Sequence, residues 1–250
     1  MSEIVVRNLT VKYKLRKKDE VVAINDLSCE FPNGKINVIL GESGSGKTTL
    51  LKSMLGLKDY SGNIELDGLD IAYLPIKDRN FAYVSQKIAL HPKMTLFDNI
   101  AFPLKIKGFD KKDIIDEVFA IAKELNIFEC LSRKPKHVSI GQAQRAALAR
   151  SLVKKASIYF FDEPLSNIDE KNKADERRFI KETISNRGAS AIYVTHDINE
   201  ALVLADNIFI LEEGKLIFKG TPKQFMDSKD ESVVALRKAG YGKPLQWRVI

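Results

Sequence analysis

Cysteine and histidine are scarce in this sequence, and neither is clustered. The 250 residues include two cysteines, Cys29 and Cys130, and three histidines, His91, His137 and His196. The two cysteines are far apart and match neither a redox pair nor metal-ligand spacing, so we expect two free, buried thiols, as suits a reducing compartment. Because the histidines are also scattered, the sequence disfavours a structural metal site.

Long apolar runs are absent as well. No apolar segment approaches the roughly 20 residues needed to cross a bilayer, and stretches such as INVIL (36–40) and IYFF (158–161) are only long enough for strands. The first residues, MSEIVVRNLTVKY, lack the basic head, apolar segment and small-residue cleavage site of a secretory signal. We therefore expect a chain that stays in the cytoplasm and does not span a membrane.

Charged residues are abundant, but a pattern typical of nucleic-acid binding is missing. Lys and Arg total 40 against 33 Asp and Glu, which gives a net charge of +7. Much of the excess lies in short clusters at 12–18 and 105–112, with no aromatic-studded groove pattern beside them. The charges favour a solvated face over a nucleic-acid surface, and they also suit work beside an anionic lipid or an acidic nucleotide.

The hydrophobic pattern predicts strands that alternate with helices. Apolar and polar residues alternate over 4–13 and 21–31, which predicts two strands joined by a turn or loop at 15–20. Further strands are predicted at INVIL, FAYVS, SIYFFDE and SAIYVTH and in the hairpin DNIFILEEGKLIFKG. Strands separated by helices predict a mostly parallel sheet covered on both faces.

A shift in composition divides the chain. The segment from about residue 86 to 155 has helical patterns and no convincing strand, which indicates an inserted helical subdomain. We expect a discontinuous core at 1–86 and 156–220, a helical subdomain at 87–155, and a short C-terminal helix and tail at 221–250.

A glycine-rich turn follows INVIL and opens a helix. GESGSGKT (41–48) matches the phosphate-binding loop G-x-x-x-x-G-K-[ST], with the preceding strand and following helix that the motif requires. Its glycines let backbone N–H groups curl around phosphates, Lys47 can reach the β and γ oxygens, and the Thr48 hydroxyl can bind Mg²⁺. The predicted nucleotide-binding residues here are Gly41, Ser43, Gly44, Ser45, Gly46, Lys47, Thr48 and Thr49.

Three other predicted strands end in polar side chains. IYFFDE ends in Asp162 and Glu163, FAYVSQ ends in Gln86, and YVTHD carries His196. Ligands of open α/β sheets bind at the carboxyl edge of the strands, so these side chains should converge near the phosphate loop. Neighbouring residues on a strand face opposite ways, so one carboxylate can serve the Mg²⁺ shell while the other meets an attacking water.

Small and polar residues crowd the start of another predicted helix, at VSIGQ (138–142). A helix start exposes unpaired N–H groups and the positive end of the helix dipole, so an anion can approach it. Ser139 can also simply cap the helix. Taken alone, these five residues favour capping over anion binding.

The motifs GESGSGKT, VSQ, VSIGQAQR, IYFFDEPLSNID and VTHD occur in an order and at intervals typical of one family. Over about residues 1–225, the chain resembles the ATP-binding cassette ATPases that drive membrane transporters. The resemblance implies an α/β P-loop NTPase with a RecA-like, mostly parallel sheet, an N-terminal antiparallel β-subdomain and an inserted α-helical subdomain. ATP and Mg²⁺ are then the expected ligands.

The resemblance also implies roles for single residues. Tyr13 matches the aromatic residue that stacks on adenine, and Gln86 matches the glutamine that touches Mg²⁺ and the water. Glu163 matches the residue that orients or deprotonates the water, and His196 matches the switch that holds the γ-phosphate. The implied catalytic residues are Glu163, His196, Gln86 and Lys47, and the implied metal ligands are Thr48, Gln86 and Asp162.

VSIGQ resembles the family's LSGGQ segment, which caps the ATP held by the phosphate loop of a second subunit. Ser139, Gly141 and Gln142 would then bind a partner's nucleotide, and this interpretation displaces simple capping. Asp169, in SNID, matches the dimer-contact loop, so the resemblance implies two nucleotides sandwiched in a head-to-tail dimer. Ile140 puts a β-branched residue where the family has glycine, which leaves open an asymmetric heterodimer as well as a homodimer.

The segment KIALHPKMTLFDNIAFPLKIKG (87–108) resembles cassettes of bacterial importers for sugars, polyamines and similar solutes, where it borders the groove for a helix of the membrane subunit. The resemblance implies permease subunits as partners, a solute-binding protein acting through them, no nucleic acid, and a place at the cytoplasmic face of the cell membrane. Exporter cassettes for lipoproteins or peptides share parts of this segment.

Other classes of ATP-binding protein fit less of the sequence. A soluble mechanical ATPase acting on DNA or ribosomes would suit the positive charge, but only one cassette is present and the helical insertion is too short for a DNA-tethering coiled coil. A scaffold that barely hydrolyses ATP is disfavoured by four intact residues, Lys47, Asp162, Glu163 and His196. A small-molecule kinase would leave VSIGQ and SNID unexplained.

Overall fold

Two β-sheets and a set of covering helices form the protein. The computed structural model describes residues 3–14, 20–166, 168 and 170–240. The predicted turn at 15–20 lies almost entirely outside the described residues, as does the predicted tail after residue 240. The strands are β1 (Ile4–Lys14), β2 (Glu20–Phe31), β3 (Ile36–Leu40), β4 (Ser61–Leu66), β5 (Leu69–Asp70), β6 (Phe81–Val84), β7 (Ile158–Asp162), β8 (Ser190–Thr195), β9 (Asn207–Glu212) and β10 (Lys215–Gly220).

The larger sheet has six strands in the order β10-β9-β3-β8-β7-β6. All neighbours pair in parallel except β9 and β10, which form the predicted hairpin. Because β3 is buried on both faces, Val38 and Leu40 pack into one core while Ile39 packs into the other. The predicted mostly parallel sheet covered on both faces is confirmed.

The smaller sheet is antiparallel, in the order β2-β1-β4-β5. Its β1–β2 pair was predicted by alternation, and its apolar face packs against the larger sheet together with the helix after the phosphate loop. Strands β4 and β5 were not predicted from the sequence, since SGNIEL contributes only Ile64 and Leu66 to the core. This sheet confirms the N-terminal antiparallel β-subdomain that the resemblance implies.

Helices cover the other face of the larger sheet and fill the segment between β6 and β7, except the helix after the phosphate loop, which packs in the core between the two sheets. They are α1 (Lys47–Met54), α2 (Leu96–Ile106), α3 (Lys111–Glu124), α4 (Ile140–Leu152), α5 (Glu170–Arg187), α6 (Ile198–Leu204), α7 (Pro222–Asp227) and α8 (Glu231–Gly240). Segment 87–155, which the structure describes throughout, holds α2, α3 and α4 and no strand. In the described part of the chain, no helix is both long and apolar enough to cross a bilayer.

The two cysteines behave as the sequence predicts. Cys29 lies in β2 and Cys130 lies after α3, and both thiols are free and buried. Burial is the main reason that the pKa of the Cys29 thiol rises to about 12, so this thiol stays protonated and unreactive.

Candidate functional site

The phosphate loop joins β3 to α1 in a conformation that only glycine tolerates at its narrow points. Gly46 has φ 102°, and a Cβ there would come within 2.5 Å of the Ala23 carbonyl oxygen. A Cβ on Gly41 would come within 2.3 Å of the Leu211 carbonyl oxygen. Two of the three glycines predicted to bind phosphate, Gly41 and Gly46, are therefore also required by the packing of the loop against its neighbours.

Lys47 is the first residue of α1, and only 4% of its surface is exposed. Its Nζ donates hydrogen bonds to the carbonyl oxygens of Gly41, at 2.8 Å, and Glu42, at 2.7 Å. Burial lowers the Lys47 pKa, and the carboxylates of Glu163, Asp162 and Glu42 oppose this by raising it. A cation is thus held inside the curve of the loop, where the motif requires it.

Asp162, at the end of β7, is the buried carboxylate beneath the loop. It is 3% exposed and accepts hydrogen bonds from Thr48 Oγ1 at 2.7 Å and from Tyr83 Oη at 3.3 Å. Burial, followed by the charge of Asp162, raises the pKa of Tyr83. The phenol therefore stays protonated and donates a hydrogen bond to the carboxylate. Sequence reasoning missed Tyr83, although it lies on the strand that Gln86 follows.

The oxygen atoms around Asp162 fit Mg²⁺. A Thr48 hydroxyl, an Asp162 carboxylate and the Gln86 amide are hard ligands of the kind that this ion prefers. Among the described residues, no group of three or more His, Cys, Asp or Glu side chains could hold a metal by itself. A set this small is usual for magnesium, which takes its remaining ligands from substrate phosphates and water.

Glu163 leaves the strand in the left-handed region, with φ 47°, while its N–H still donates to the Val194 carbonyl at 3.0 Å. Its carboxylate lies between Gln86 and His196, which the sequence predicts to share this site. Oε2 accepts from Gln86 Nε2 at 3.2 Å, and Oε1 lies 3.3 Å from His196 Nδ1. A non-glycine residue held at positive φ stores about 1–3 kcal/mol of strain, and such strain clusters at functional sites.

Tyr13, near the end of β1, stands at the edge of the site. Its hydroxyl lies 3.2 Å from Thr49 Oγ1, and 36% of the residue is exposed. The ammonium of Lys58 lies 4.0 Å from the centroid of its ring. Sequence reasoning did not identify Lys58, because nothing in the local pattern connects it to a residue in β1.

Most of these side chains line one open cleft of about 830 Å³, a size suited to a small-molecule ligand. Ser45 and Asp162 are exceptions among the predicted residues. Both are buried beneath the cleft rather than in its lining, and the Ser45 hydroxyl has no hydrogen-bond partner within the described residues. The predicted residues that line the cleft are Tyr13, Gly41, Ser43, Gly44, Gly46, Lys47, Thr48, Thr49, Gln86, Glu163 and His196.

Ser139, Gly141 and Gln142 do not line this cleft. Ser139 caps α4, because its Oγ accepts from Gln142 N at 3.2 Å while Gln142 Oε1 accepts from Ser139 N at 3.0 Å. Capping, which the resemblance had set aside, is therefore formed in the single chain. A Cβ on Gly141 would meet nothing within 4 Å, and Ile140 is 67% exposed, so this helix start is open to an external group. Asp169, the predicted dimer-contact residue, lies outside the described residues.

Comparison with known proteins gives a consistent result. A family model described as ABC transporter matches residues 24–166. The trehalose/maltose import ATP-binding protein MalK of Thermococcus litoralis is 40% identical over 223 residues, covering 86% of this chain and 60% of that protein. The molybdate/tungstate import ATP-binding protein WtpC of Pyrococcus horikoshii is 41% identical, covering 84% of this chain and 61% of that protein. The chain thus spans about three fifths of the length of these curated relatives.

Solved structures agree at the level of the fold and the cassette. A dimeric, post-hydrolysis structure of the ATP-binding cassette MJ0796 bound to ADP and Pi superposes with a TM-score of 0.81 and 25% sequence identity. The alignment covers 88% of this chain and 98% of that one.

Proposed function

Because this chain belongs to the ABC transporter family of ATP-binding domains, we propose that it is the ATP-hydrolysing subunit of a bacterial importer, driven by head-to-tail dimerisation. The observation that carries the proposal is the convergence of a desolvated lysine, a hydroxyl–carboxylate pair and a carboxylate between an amide and an imidazole at one cleft. That set matches what transfer of a phosphoryl group to water requires.

ATP would bind with its phosphates in the loop. The loop N–H groups and Lys47 supply positive charge at the start of α1, where the helix dipole also favours an anion. Adenine would stack on Tyr13 at the edge of the cleft. The Lys47 ammonium now bonds to loop carbonyls, so it is held in place before the nucleotide arrives.

Thr48, Asp162 and Gln86 are the residues that would hold Mg²⁺. When bound, this ion supplies positive charge to the β and γ phosphate oxygens. Asp162 is aligned for this task by two donated hydrogen bonds, from Thr48 and Tyr83.

Glu163 is the residue that we expect to orient the attacking water and accept its proton. Its two carboxylate oxygens are fixed by Gln86 and His196, so a water near Glu163 would be aligned toward the γ-phosphate. His196 is well exposed, with 61% of its side chain accessible, and can reach a phosphate placed in the cleft.

A second cassette would complete the site. Ser139, Gly141 and Gln142 lie outside the chain's own cleft, at an open helix start whose N–H groups suit a phosphate. We propose that they cap the nucleotide of the partner cassette, which is either a second copy or, given Ile140, a different cassette.

The import assignment rests on the relatives. Those named above are import proteins, which favours import over the exporter and soluble alternatives. We propose permease subunits as partners at the cytoplasmic face of the membrane, a solute-binding protein acting through them, and no nucleic acid.

We also propose a core at 1–86 and 156–220, a helical subdomain at 87–155, and a terminal segment at 221–250.

The purified Glu163→Gln variant tests the proposal. We expect ATP binding to persist by calorimetry, phosphate release to fall about 100-fold or more, and an ATP-dependent dimer to accumulate in light scattering. Glu182→Gln, which changes an exposed carboxylate of α5, is the matched control and should leave all three values unchanged. Near-normal hydrolysis would remove Glu163 from its role, and an unmodified chain that fails to bind ATP would contradict the proposed function.

A further inference from the structure

Lys58, in the loop between α1 and β4, makes a contact that the proposed chemistry does not use. Its Nζ lies 4.0 Å from the centroid of the Tyr13 ring, well within the about 6 Å at which a cation is attracted to an aromatic face. Lys58 is half-buried, and none of the described carboxylates lies within ion-pair distance of it. The aromatic ring is thus the electrostatic partner that the structure shows for this ammonium.

Tyr13 and Lys58 are placed differently relative to the cleft. Tyr13 lines the cleft, whereas Lys58, whose ammonium lies over the ring, is not among the lining residues. The Tyr13 hydroxyl is held separately, 3.2 Å from Thr49 Oγ1 in α1. The ring is therefore contacted at one face by the Lys58 ammonium and at its tip by Thr49.

Fixing the ring matters because of where Tyr13 sits. It is the residue before the end of β1, paired with Val21 close to the point where β2 begins. Strand β1 ends one residue later, at Lys14, so Tyr13 lies at the end of this strand pair. A ring that is already oriented loses less conformational freedom when a base stacks on it, so binding is tighter.

We propose that Lys58 is a positioning residue for the nucleotide base, which holds the Tyr13 ring so that a purine stacks on the face opposite the ammonium. This inference rests on the proposed function, in which ATP occupies the cleft. Lys58 acts through Tyr13 and touches neither the phosphates nor the reacting water.

Binding of a non-hydrolysable ATP analogue and of inorganic tripolyphosphate, both with Mg²⁺, tests this role by calorimetry. We expect Lys58→Gln to weaken binding of the analogue about two- to five-fold and to leave tripolyphosphate binding unchanged, because only the analogue carries a base. Lys58→Arg keeps a cation over the ring and should restore the affinity. Lys52→Gln removes the same charge from α1, where no ring contact is present, and serves as the matched control.

The Tyr13→Leu background separates positioning from general charge. There, Lys58→Gln should have no further effect on analogue binding, since the ring on which it acts is gone. An equal loss in that background, an equal loss for tripolyphosphate, or full affinity of Lys58→Gln would each overturn the proposal. Melting temperatures show whether each variant is folded, and failure of the unmodified chain to bind the analogue would instead contradict the proposed function.

Discussion

Asp162 and Glu163 are consecutive carboxylates with different environments. Asp162 ends the strand, is almost fully buried and receives hydrogen bonds from two hydroxyl groups. Glu163 turns into the left-handed region and meets Gln86 and His196 instead. A single change in backbone direction therefore separates a carboxylate suited to a metal ion from one suited to a water.

Ile140 is the residue at which this chain departs most clearly from the motif of its family. The side chain is 67% exposed at the first position of α4, so it projects where a partner's nucleotide would approach. We expect Ile140→Gly to raise ATP-dependent dimerisation or turnover, because it removes a β-branched side chain from a close approach. The change costs the helix no more than about 1 kcal/mol in propensity.

Steady-state phosphate release and light scattering with ATP measure this effect. Ile140→Val keeps the branched side chain, so it should behave like the unmodified protein. If Ile140→Gly changes neither dimerisation nor turnover, the isoleucine is tolerated at this position without penalty.

The side chains that sequence predicts are those fixed by their place on a strand. Gln86, Asp162, Glu163 and His196 follow three neighbouring parallel strands, so the sheet itself brings them together. Lys58 is different. It reaches Tyr13 across 45 positions of sequence through a flexible side chain, and no periodic pattern carries that information.

At the scale of elements, the junction between β8 and α6 positions His196. Asp197 caps α6 by accepting from the N–H groups of Asn199 and Glu200, so the helix begins directly after the histidine. The Glu200 carboxylate reaches back to β8, where Oε2 accepts from Tyr193 Oη at 3.0 Å and Thr195 Oγ1 at 2.8 Å. The two elements that flank His196 are therefore joined by a buried carboxylate.

Replacing Glu200 tests this junction. Glu200→Ala leaves two buried hydroxyl groups unpaired, so we expect the free energy of unfolding to fall by about 1–3 kcal/mol. Glu200→Gln keeps an oxygen that accepts from both hydroxyls and should retain most of the stability. Denaturant unfolding measures both, and equal stability of Glu200→Ala and the unmodified chain would show that the junction does not depend on this carboxylate.

We also expect the stability contribution of Glu200 to depend on pH. Burial is the main cause that raises the Glu200 pKa above its ordinary value of 4.5. The folded state therefore holds this proton to higher pH than the unfolded state, so the contribution of Glu200 to stability falls as pH rises from about 4.5 through the folded pKa and is level above it. The stability of Glu200→Gln relative to the unmodified chain should accordingly increase over that range.

Elements were predicted well where their own residues carry the signal. The apolar strand β7 and the helix α4 each have a pattern that identifies them. Strand β4 does not, since SGNIEL is short and mostly polar, and its place is set by pairing with β1, as between Ile4 and Leu66. A strand defined by its partner cannot be found from its own composition.

At the scale of the whole molecule, the cleft and the VSIGQ helix start are separate surfaces of one chain. The cleft gathers the groups for the phosphates and the water, while the helix start has an exposed Ile140 and open space beside Gly141. Each is one half of the nucleotide cage that we propose. A dimer in which the halves meet head to tail is the arrangement that uses both surfaces twice.

Mixing two inactive variants tests that arrangement. Lys47→Ala disables the phosphate loop, and Gly141→Asp places a negative charge where a partner's phosphates would lie; an acidic residue in the first turn of α4 also favours the helix. Each variant alone should hydrolyse little ATP, because both sites of its homodimer carry the lesion. In a heterodimer, one site carries both lesions and the other carries neither, so equal mixing should restore up to about a quarter of the unmodified activity. A mixture no more active than its parts, despite heterodimers detected by crosslinking, would place the phosphate loop and the VSIGQ segment of one nucleotide site in the same chain.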